Sequence, residues 1–290
     1  YWPPQYVVFD GLTLEPLAIQ DVLTPAYDTG EELQEVRVAS IVASHYEPTW
    51  IVSLKESGHV AIVDYSKEGF PMTAKIASER FLHDGGFDNT GRYFMVAANM
   101  RDTMVVVDLQ EQELVTKFET GIKPHPGRGA NWQDPEFGWV NGTTHLGEAK
   151  LAVYGADPKG APEHAWKVVR EIELPSTGGL FVKTHPESDW VWFDSPLSAD
   201  ENLTRQICVY SIDNLEAGYK DATVHKCSGS PTDHGRTVHF EYDRHGKEVW
   251  VSGWDKNGKE SAMVVLDARD PVEEKRIQED WLVTPTGKFN

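Results

Sequence analysis

The chain has 290 residues, of which 40% are hydrophobic, and it carries a formal net charge of -19 at pH 7. This charge argues against nucleic acids and anionic membrane surfaces as partners because a polyanion is repelled by them, although it leaves room for a local cationic pocket. No stretch approaches the roughly 20 apolar residues of a membrane-spanning helix, so we expect no membrane span.

One pair of β-rich runs recurs along the chain, separated each time by a short turn. The second runs of the five pairs are residues 59–64, 103–108, 150–154, 206–210 and 262–267. Their last residues are 44, 46, 56 and 57 positions apart, which is typical of four-stranded β-propeller blades with loop insertions. Residues 88–92 and 243–247 have the composition of hairpin turns at equivalent places in two repeats.

These repeats predict an all-β fold of about five to six four-stranded propeller blades. Five blades with a sixth divided between the chain ends would form an incomplete ring with exposed strand edges, which is unfavourable. We therefore expect residues 1–290 to be part of a larger propeller domain.

Two histidines lie in glycine- and proline-rich segments where a repeat begins. His83 is followed by Asp-Gly-Gly, and His125 lies in Pro-His-Pro-Gly with Arg128 three residues later. Glycine lets a backbone approach a ligand closely, and two imidazoles beside a guanidinium suit a small anion that must be protonated. On the pattern alone, the favoured interpretation is that both histidines only cap loop backbone groups.

Cys208 and Cys227 are the only two cysteines. They form neither a heme-attachment motif nor a zinc-binding spacing. A disulfide is compatible with an oxidising compartment, but two separate thiols are the favoured interpretation.

Seven segments, in order along the chain, carry a resemblance to a known family: residues 1–6, 37–39, 43–46, 78–86, 125–131, 180–186 and 282–290. A lone His-Pro-Gly would be a weak signal, whereas the ordered set is specific. On these segments the chain closely resembles the d1-heme domain of cytochrome cd1 nitrite reductase.

The resemblance implies an eight-bladed propeller with heme d1 in its central channel, preceded by a cytochrome c domain that carries heme c. It implies that the cytochrome c domain, the first blades and the proximal histidine ligand lie upstream of residue 1. It further implies a periplasmic homodimer of the denitrification pathway, which reduces nitrite to nitric oxide with one electron from a small cytochrome c or cupredoxin.

The same resemblance assigns site residues. His83 and His125 match the two distal histidines that hydrogen-bond nitrite and supply protons. Arg128 would pair with a heme carboxylate. The remaining predicted heme contacts are Tyr1, Ala39, Phe181, Thr286, Gly287 and, where the family has glutamine, His239.

Two other functions remain open on the sequence. A paralogue of heme d1 biosynthesis would share the propeller and bind heme d1 or its precursor, and an interaction propeller would bind no cofactor. The retention of His83, His125 and the segment 125–131 favours the reductase.

Overall fold

In the computed structural model, residues 2–220 and 225–285 are described. They form 22 β-strands, a short α-helix at Glu201–Thr204 and two 3-10 helices at Asn99–Arg101 and Ile212–Lys220. The chain forms two compact units, one ending at Glu119 and the other beginning at Thr120. No helix among the described residues is long and apolar enough to cross a membrane.

The first unit contains one two-stranded and two four-stranded antiparallel sheets. Their strands are β1 (Gln5–Phe9) and β2 (Pro16–Asp21); β3 (Val38–Ala43), β4 (Thr49–Leu54), β5 (His59–Asp64) and β6 (Met72–Ala77); β7 (Leu82–Phe87), β8 (Tyr93–Ala98), β9 (Thr103–Asp108) and β10 (Glu113–Glu119).

The second unit contains three four-stranded antiparallel sheets. Their strands are β11 (Pro124–Asp134), β12 (Gly138–His145), β13 (Lys150–Gly155) and β14 (Val168–Glu173); β15 (Val182–Lys183), β16 (Trp190–Asp194), β17 (Ile207–Ser211) and β18 (His225–Cys227); β19 (Gly235–Tyr242), β20 (Glu248–Asp255), β21 (Ala262–Asp267) and β22 (Glu273–Ile277).

Each four-stranded sheet is built in chain order, so that strands adjacent in sequence are also adjacent in the sheet. This is the arrangement of a propeller blade, and it confirms the predicted all-β fold with four-stranded blades. The assignment of residues 1–290 to one partial propeller domain stays a prediction.

Apolar side chains hold neighbouring sheets together within each unit. In the first unit, the sheets β3–β6 and β7–β10 share a cluster that includes Ile51, Phe94 and Val105. In the second unit, Phe193 and Tyr210 pack in a cluster with residues of the preceding sheet, and both are almost fully buried. The middle strands β4, β5, β8 and β9 are largely apolar and mostly buried, as expected of strands that are covered on both faces.

The two hairpin turns foreseen in the sequence are built alike. Asp88 accepts hydrogen bonds from the N–H groups of Thr90 and Tyr93. Asp243 accepts them from Lys247 and Glu248 in the corresponding turn. An aspartate that caps its own turn explains why these residues open both hairpins.

The cysteines differ from the favoured interpretation. Cys208 and Cys227 lie directly opposite each other on β17 and β18 and form a disulfide with a Cα–Cα distance of 4.1 Å. The interpretation as two separate thiols was therefore wrong. The pairing register that places these two residues side by side cannot be read from their spacing of 19 residues.

Candidate functional site

Five of the predicted site residues lie in or beside irregularities of the first strand of a sheet: Ala39, His83, His125, Arg128 and His239. The pairing register shifts at Ala39 in β3, at His83 in β7, between His125 and Ala130 in β11, and at His239 in β19. A β-bulge leaves residues out of the ladder and redirects their side chains, and bulges are frequent beside functional sites. The repeated position therefore marks one edge of each of these sheets as the candidate site.

In the first unit, His83 is held by its backbone and flanked by a carboxylate. The Ser40 hydroxyl lies 3.1 Å from the His83 carbonyl oxygen, to which it donates. The side chain of His83 is 30% exposed, and its Nδ1 lies 3.6 Å from Oδ1 of Asp84. His83 can therefore meet a ligand from solvent and can pair with Asp84 when it is protonated.

In the second unit, His125 is held much more tightly. It is 5% exposed, and its Nδ1 lies 2.8 Å from the carbonyl oxygen of Leu180. The fully buried Thr144 hydroxyl donates to the His125 carbonyl oxygen at 3.0 Å. Because a carbonyl only accepts, Nδ1 must carry a hydrogen, and Nε2 is the nitrogen that gains and loses the second proton.

The loop after His125 presents Arg128 to solvent. Gly127 has a φ of +60°, and a Cβ there would lie 2.5 Å from the Phe181 ring. Only glycine meets both conditions without strain. Arg128 is exposed and, within the described parts of the chain, forms no hydrogen bond or ion pair, so its planar guanidinium is available for a carboxylate.

An aromatic row extends from His125 across the three sheets of the second unit. The ring centroids are 6.4 Å apart for His125 and Phe181, 5.2 Å for Phe181 and His239, and 5.3 Å for His239 and Trp254. All three contacts are edge-to-face, which is a favoured arrangement of aromatic rings. Trp254 is fixed in turn because its indole N–H donates to the Pro285 carbonyl oxygen.

Asp194 supports this row, and sequence reasoning missed its role. Its Oδ1 accepts the N–H groups of Leu180 at 2.8 Å and Phe181 at 2.9 Å. The residue is 1% exposed, and burial raises its pKa to about 7. A carboxyl group directly after the apolar run 190–193 was the available signal, since acids are rarely buried without a partner.

The structure thus brings His125, Phe181 and His239 into one row in the second unit, with Arg128 on the adjoining loop. In the first unit, Ala39 lies next to Ser40, the residue that bonds the His83 backbone. Ala39 also lines a cleft together with Pro3 and Tyr6. Tyr1, Thr286 and Gly287 lie outside the described residues, and the roles of all nine residues stay predictions.

Comparison with known proteins assigns the chain to a family. The profile of the family described as Cytochrome D1 heme domain matches residues 1–290. The chain belongs to this family. A nitrite reductase from Stutzerimonas stutzeri is 41% identical over 297 residues, which cover 100% of this chain and 53% of that protein.

The chain is also similar to proteins named as dihydro-heme d1 dehydrogenases. A dihydro-heme d1 dehydrogenase from Pseudomonas aeruginosa is 25% identical and covers 100% of this chain and 52% of its own length. A solved structure, the dihydro-heme d1 dehydrogenase NirN in complex with DHE, has a TM-score of 0.74 at 22% identity, covering 98% of this chain and 54% of that one. The chain spans about half the length of these curated relatives.

The second unit of this d1 heme domain has the groups that a heme requires. A heme needs aromatic or apolar contacts for its macrocycle and cationic groups for its carboxylates. The half-buried rings of Phe181, His239 and Trp254 supply the first, and the exposed guanidinium of Arg128 supplies the second. The residues present therefore fit the cofactor for which the family is named.

Proposed function

We propose that the protein is a nitric oxide-forming nitrite reductase that binds heme d1 and reduces nitrite by one electron. The observation that carries the proposal is the 41% identity to a nitrite reductase across the whole chain. The buried, fixed imidazole of His125 beside the aromatic row agrees with it, because the reaction requires positioned protons.

In this proposal, Arg128 and the three rings of the aromatic row beyond His125 hold the cofactor. Phe181, His239 and Trp254 contact the macrocycle, and the Arg128 guanidinium pairs with one of its carboxylates. Ala39, Tyr1, Thr286 and Gly287 complete the contacts. When bound, heme d1 supplies the iron that passes one electron to nitrite.

His83 and His125 donate the protons that the reaction consumes. One nitrite ion, one electron and two protons give one nitric oxide and one water, so two N–O bonds become one and the departing oxygen must be protonated twice. An imidazolium donates a hydrogen bond to an anion and can then transfer that proton. His125 would donate through Nε2, because its Nδ1 is committed to the Leu180 carbonyl oxygen.

The setting of the protein is part of the proposal. The Cys208–Cys227 disulfide favours an oxidising compartment such as the periplasm. A small cytochrome c or cupredoxin would deliver electrons through heme c to heme d1, and the protein would work as a homodimer. These expectations depend on the family resemblance.

A second candidate is the oxidation of a dihydro-heme d1 precursor. The dehydrogenase relatives share the fold over nearly the whole chain, so the propeller itself does not distinguish the two reactions. The dehydrogenase sequence match is weaker, at 25% identity against 41% for the nitrite reductase.

The decisive experiment uses the protein expressed from its complete coding sequence and reconstituted with heme d1. Uptake is followed by visible absorption, and nitric oxide is measured with an electrode after nitrite is added under reducing conditions. A parallel sample receives dihydro-heme d1, and its conversion to heme d1 is followed optically. Nitric oxide formation without precursor oxidation supports the proposal, and the reverse result would assign the protein to cofactor synthesis.

A further inference from the structure

Among the buried acids of the second unit, Asp194 stands out because its two oxygens have different surroundings. Oδ1 receives two backbone N–H groups, from Leu180 and Phe181. In the part of the chain that the structure describes, Oδ2 is buried and has no hydrogen-bond partner. Burying Oδ2 in these surroundings lowers the stability of the fold, since a buried polar group without a partner is destabilising.

One peptide group connects Asp194 to His125. The N–H of Phe181 and the C=O of Leu180 belong to the same planar peptide and point in opposite directions. The N–H donates to Asp194 at 2.9 Å, and the carbonyl oxygen accepts from His125 Nδ1 at 2.8 Å. A charged acceptor on the N–H side polarises the peptide and makes its carbonyl oxygen a better acceptor on the other side.

The path of the 178–181 segment is adapted to this contact. A Cβ at Gly179 would lie 2.8 Å from Thr144 Cβ and 3.1 Å from the Asp194 carbonyl oxygen, so a larger residue would push the segment away. Thr144 is also the residue that bonds the backbone of His125. The segment is therefore held between Asp194 and Thr144, the residue that fixes the His125 backbone.

We infer that Asp194 is a positioning residue for His125, which it acts on through the Leu180–Phe181 peptide, fixing the imidazole as the Nδ1–H tautomer and leaving proton transfer to Nε2. Outer hydrogen-bond partners determine the tautomer of functional histidines in the same way elsewhere. The catalytic value of this arrangement rests on the proposed function. The arrangement itself can be tested without heme or nitrite.

The test is nuclear magnetic resonance of the full chain labelled with 15N-histidine and with backbone 15N, at pH 8.5, where the Asp194 carboxyl is ionised. The His125 ring signals are assigned by their loss in His125→Gln. In the wild type we expect a protonated Nδ1 and an unprotonated Nε2, with slow exchange of the Leu180 and Phe181 amides. In Asp194→Ala, both amides should exchange about 10- to 100-fold faster, since bonds to a charged acceptor are lost, and His125 should no longer hold a single tautomer.

Asp194→Asn is the conservative variant, because an amide oxygen can accept both N–H groups without the charge. We expect it to retain the Nδ1–H tautomer, with the Nδ1–H proton signal shifted upfield as the hydrogen bond weakens. Asp134→Asn is the matched control: Asp134 is also buried on this unit and accepts two backbone N–H groups, from Glu136 and Phe137, but it pairs with Arg170. It should leave the His125 signals unchanged.

A His125 that keeps its Nδ1–H tautomer in a folded Asp194→Ala protein would overturn the inference. Circular dichroism shows whether Asp194→Ala is folded, and if it is not, Asp194→Asn is the deciding variant. An Nδ1–H signal of His125 identical to that of the wild type would then overturn the inference. The upfield shift of that signal would support it. Neither readout depends on nitrite reduction, so failure of the proposed function would remain a separate result.

Discussion

At the bulge of β7 in the first unit His83 is half-buried, whereas at the bulge of β11 in the second unit His125 is buried. His83 is fixed through its backbone by Ser40, and its ring lies beside the carboxylate of Asp84. His125 is fixed through the ring itself by the Leu180 carbonyl oxygen. The same kind of strand irregularity can thus present an adaptable imidazole in one case and an oriented imidazole in the other.

The largest expected effect comes from removing either ring. In the heme d1-loaded protein, His83→Ala and His125→Ala should each lower the rate of nitric oxide formation by roughly 10²–10⁴-fold, the usual contribution of a positioned proton donor. Added imidazole should restore more activity to His83→Ala, because the vacated space is more open to solvent. Electrode measurements with and without imidazole test this, and equal rescue of the two variants would contradict the difference between the sites.

The second prediction concerns the support of His125 and its pH dependence. Burial raises the pKa of Asp194 from an ordinary 3.8 to about 7, so the folded state favours the neutral carboxyl. The stabilisation from that neutral form is complete below about pH 4 and is lost as the pH rises through about 7. Relative to Asp194→Asn, the free energy of unfolding of the wild type should therefore fall by about 4 kcal/mol between these pH values.

Urea unfolding of both proteins from pH 3 to pH 8 measures this difference. Asp134→Asn provides a control of opposite sign. Burial opposes ionisation of Asp134, but the Arg170 guanidinium and two backbone N–H groups outweigh it and lower its pKa. Its stabilisation is therefore present above the unfolded pKa and lost in acid. A wild type with the same pH slope as Asp194→Asn would show that Asp194 ionises normally.

The strand repeats could be predicted because middle strands are buried on both faces and read as continuous apolar runs. The sequence predicts that three of the repeats' second β-rich runs end at residues 64, 108 and 267. The strands β5, β9 and β21 end at these residues, Asp64, Asp108 and Asp267. The outer strands lack this signal because one of their faces is solvated. In β10, Glu113–Glu119, exposed and half-buried residues alternate.

The site was only partly accessible from the sequence. The glycine-rich surroundings of His83 and His125 indicated a close approach of the backbone to a ligand, but neither the bulges nor which ring would be buried. The Leu180 contact joins residues 55 positions apart, and the Asp194 contacts join residues 13 and 14 apart across a strand pair. Such contacts depend on sheet register and on the packing of one sheet against the next, which no local pattern contains.

The third prediction tests the glycine that lets the His125 loop approach Phe181. Gly127→Ala would place a Cβ 2.5 Å from the Phe181 ring on a backbone with φ of +60°. Left-handed strain and overpacking together should lower the free energy of unfolding by about 2–4 kcal/mol. Gly229→Ala is the control in the same unit, because a Cβ there has no atom within 4 Å. Chemical denaturation of both variants decides the matter, and equal stabilities would mean that the loop shifts freely away from Phe181.

The smallest effect is expected at the hydrogen bond to the His83 backbone. Ser40→Ala removes the hydrogen bond to the His83 carbonyl oxygen and the 3.0 Å contact with the Ser53 hydroxyl, which is fully buried. We expect a loss of about 1 kcal/mol in the free energy of unfolding, the usual net worth of such a bond, measured by urea denaturation. Ser66→Ala removes a hydrogen bond to the Asp64 carboxylate at an exposed turn, and it should cost less than Ser40→Ala because that bond is open to solvent. If Ser40→Ala instead lost about 3 kcal/mol or more, roughly the scale of a broken buried network, His83 would be held as rigidly as His125. The two bulges would then differ only in the solvent exposure of their histidines.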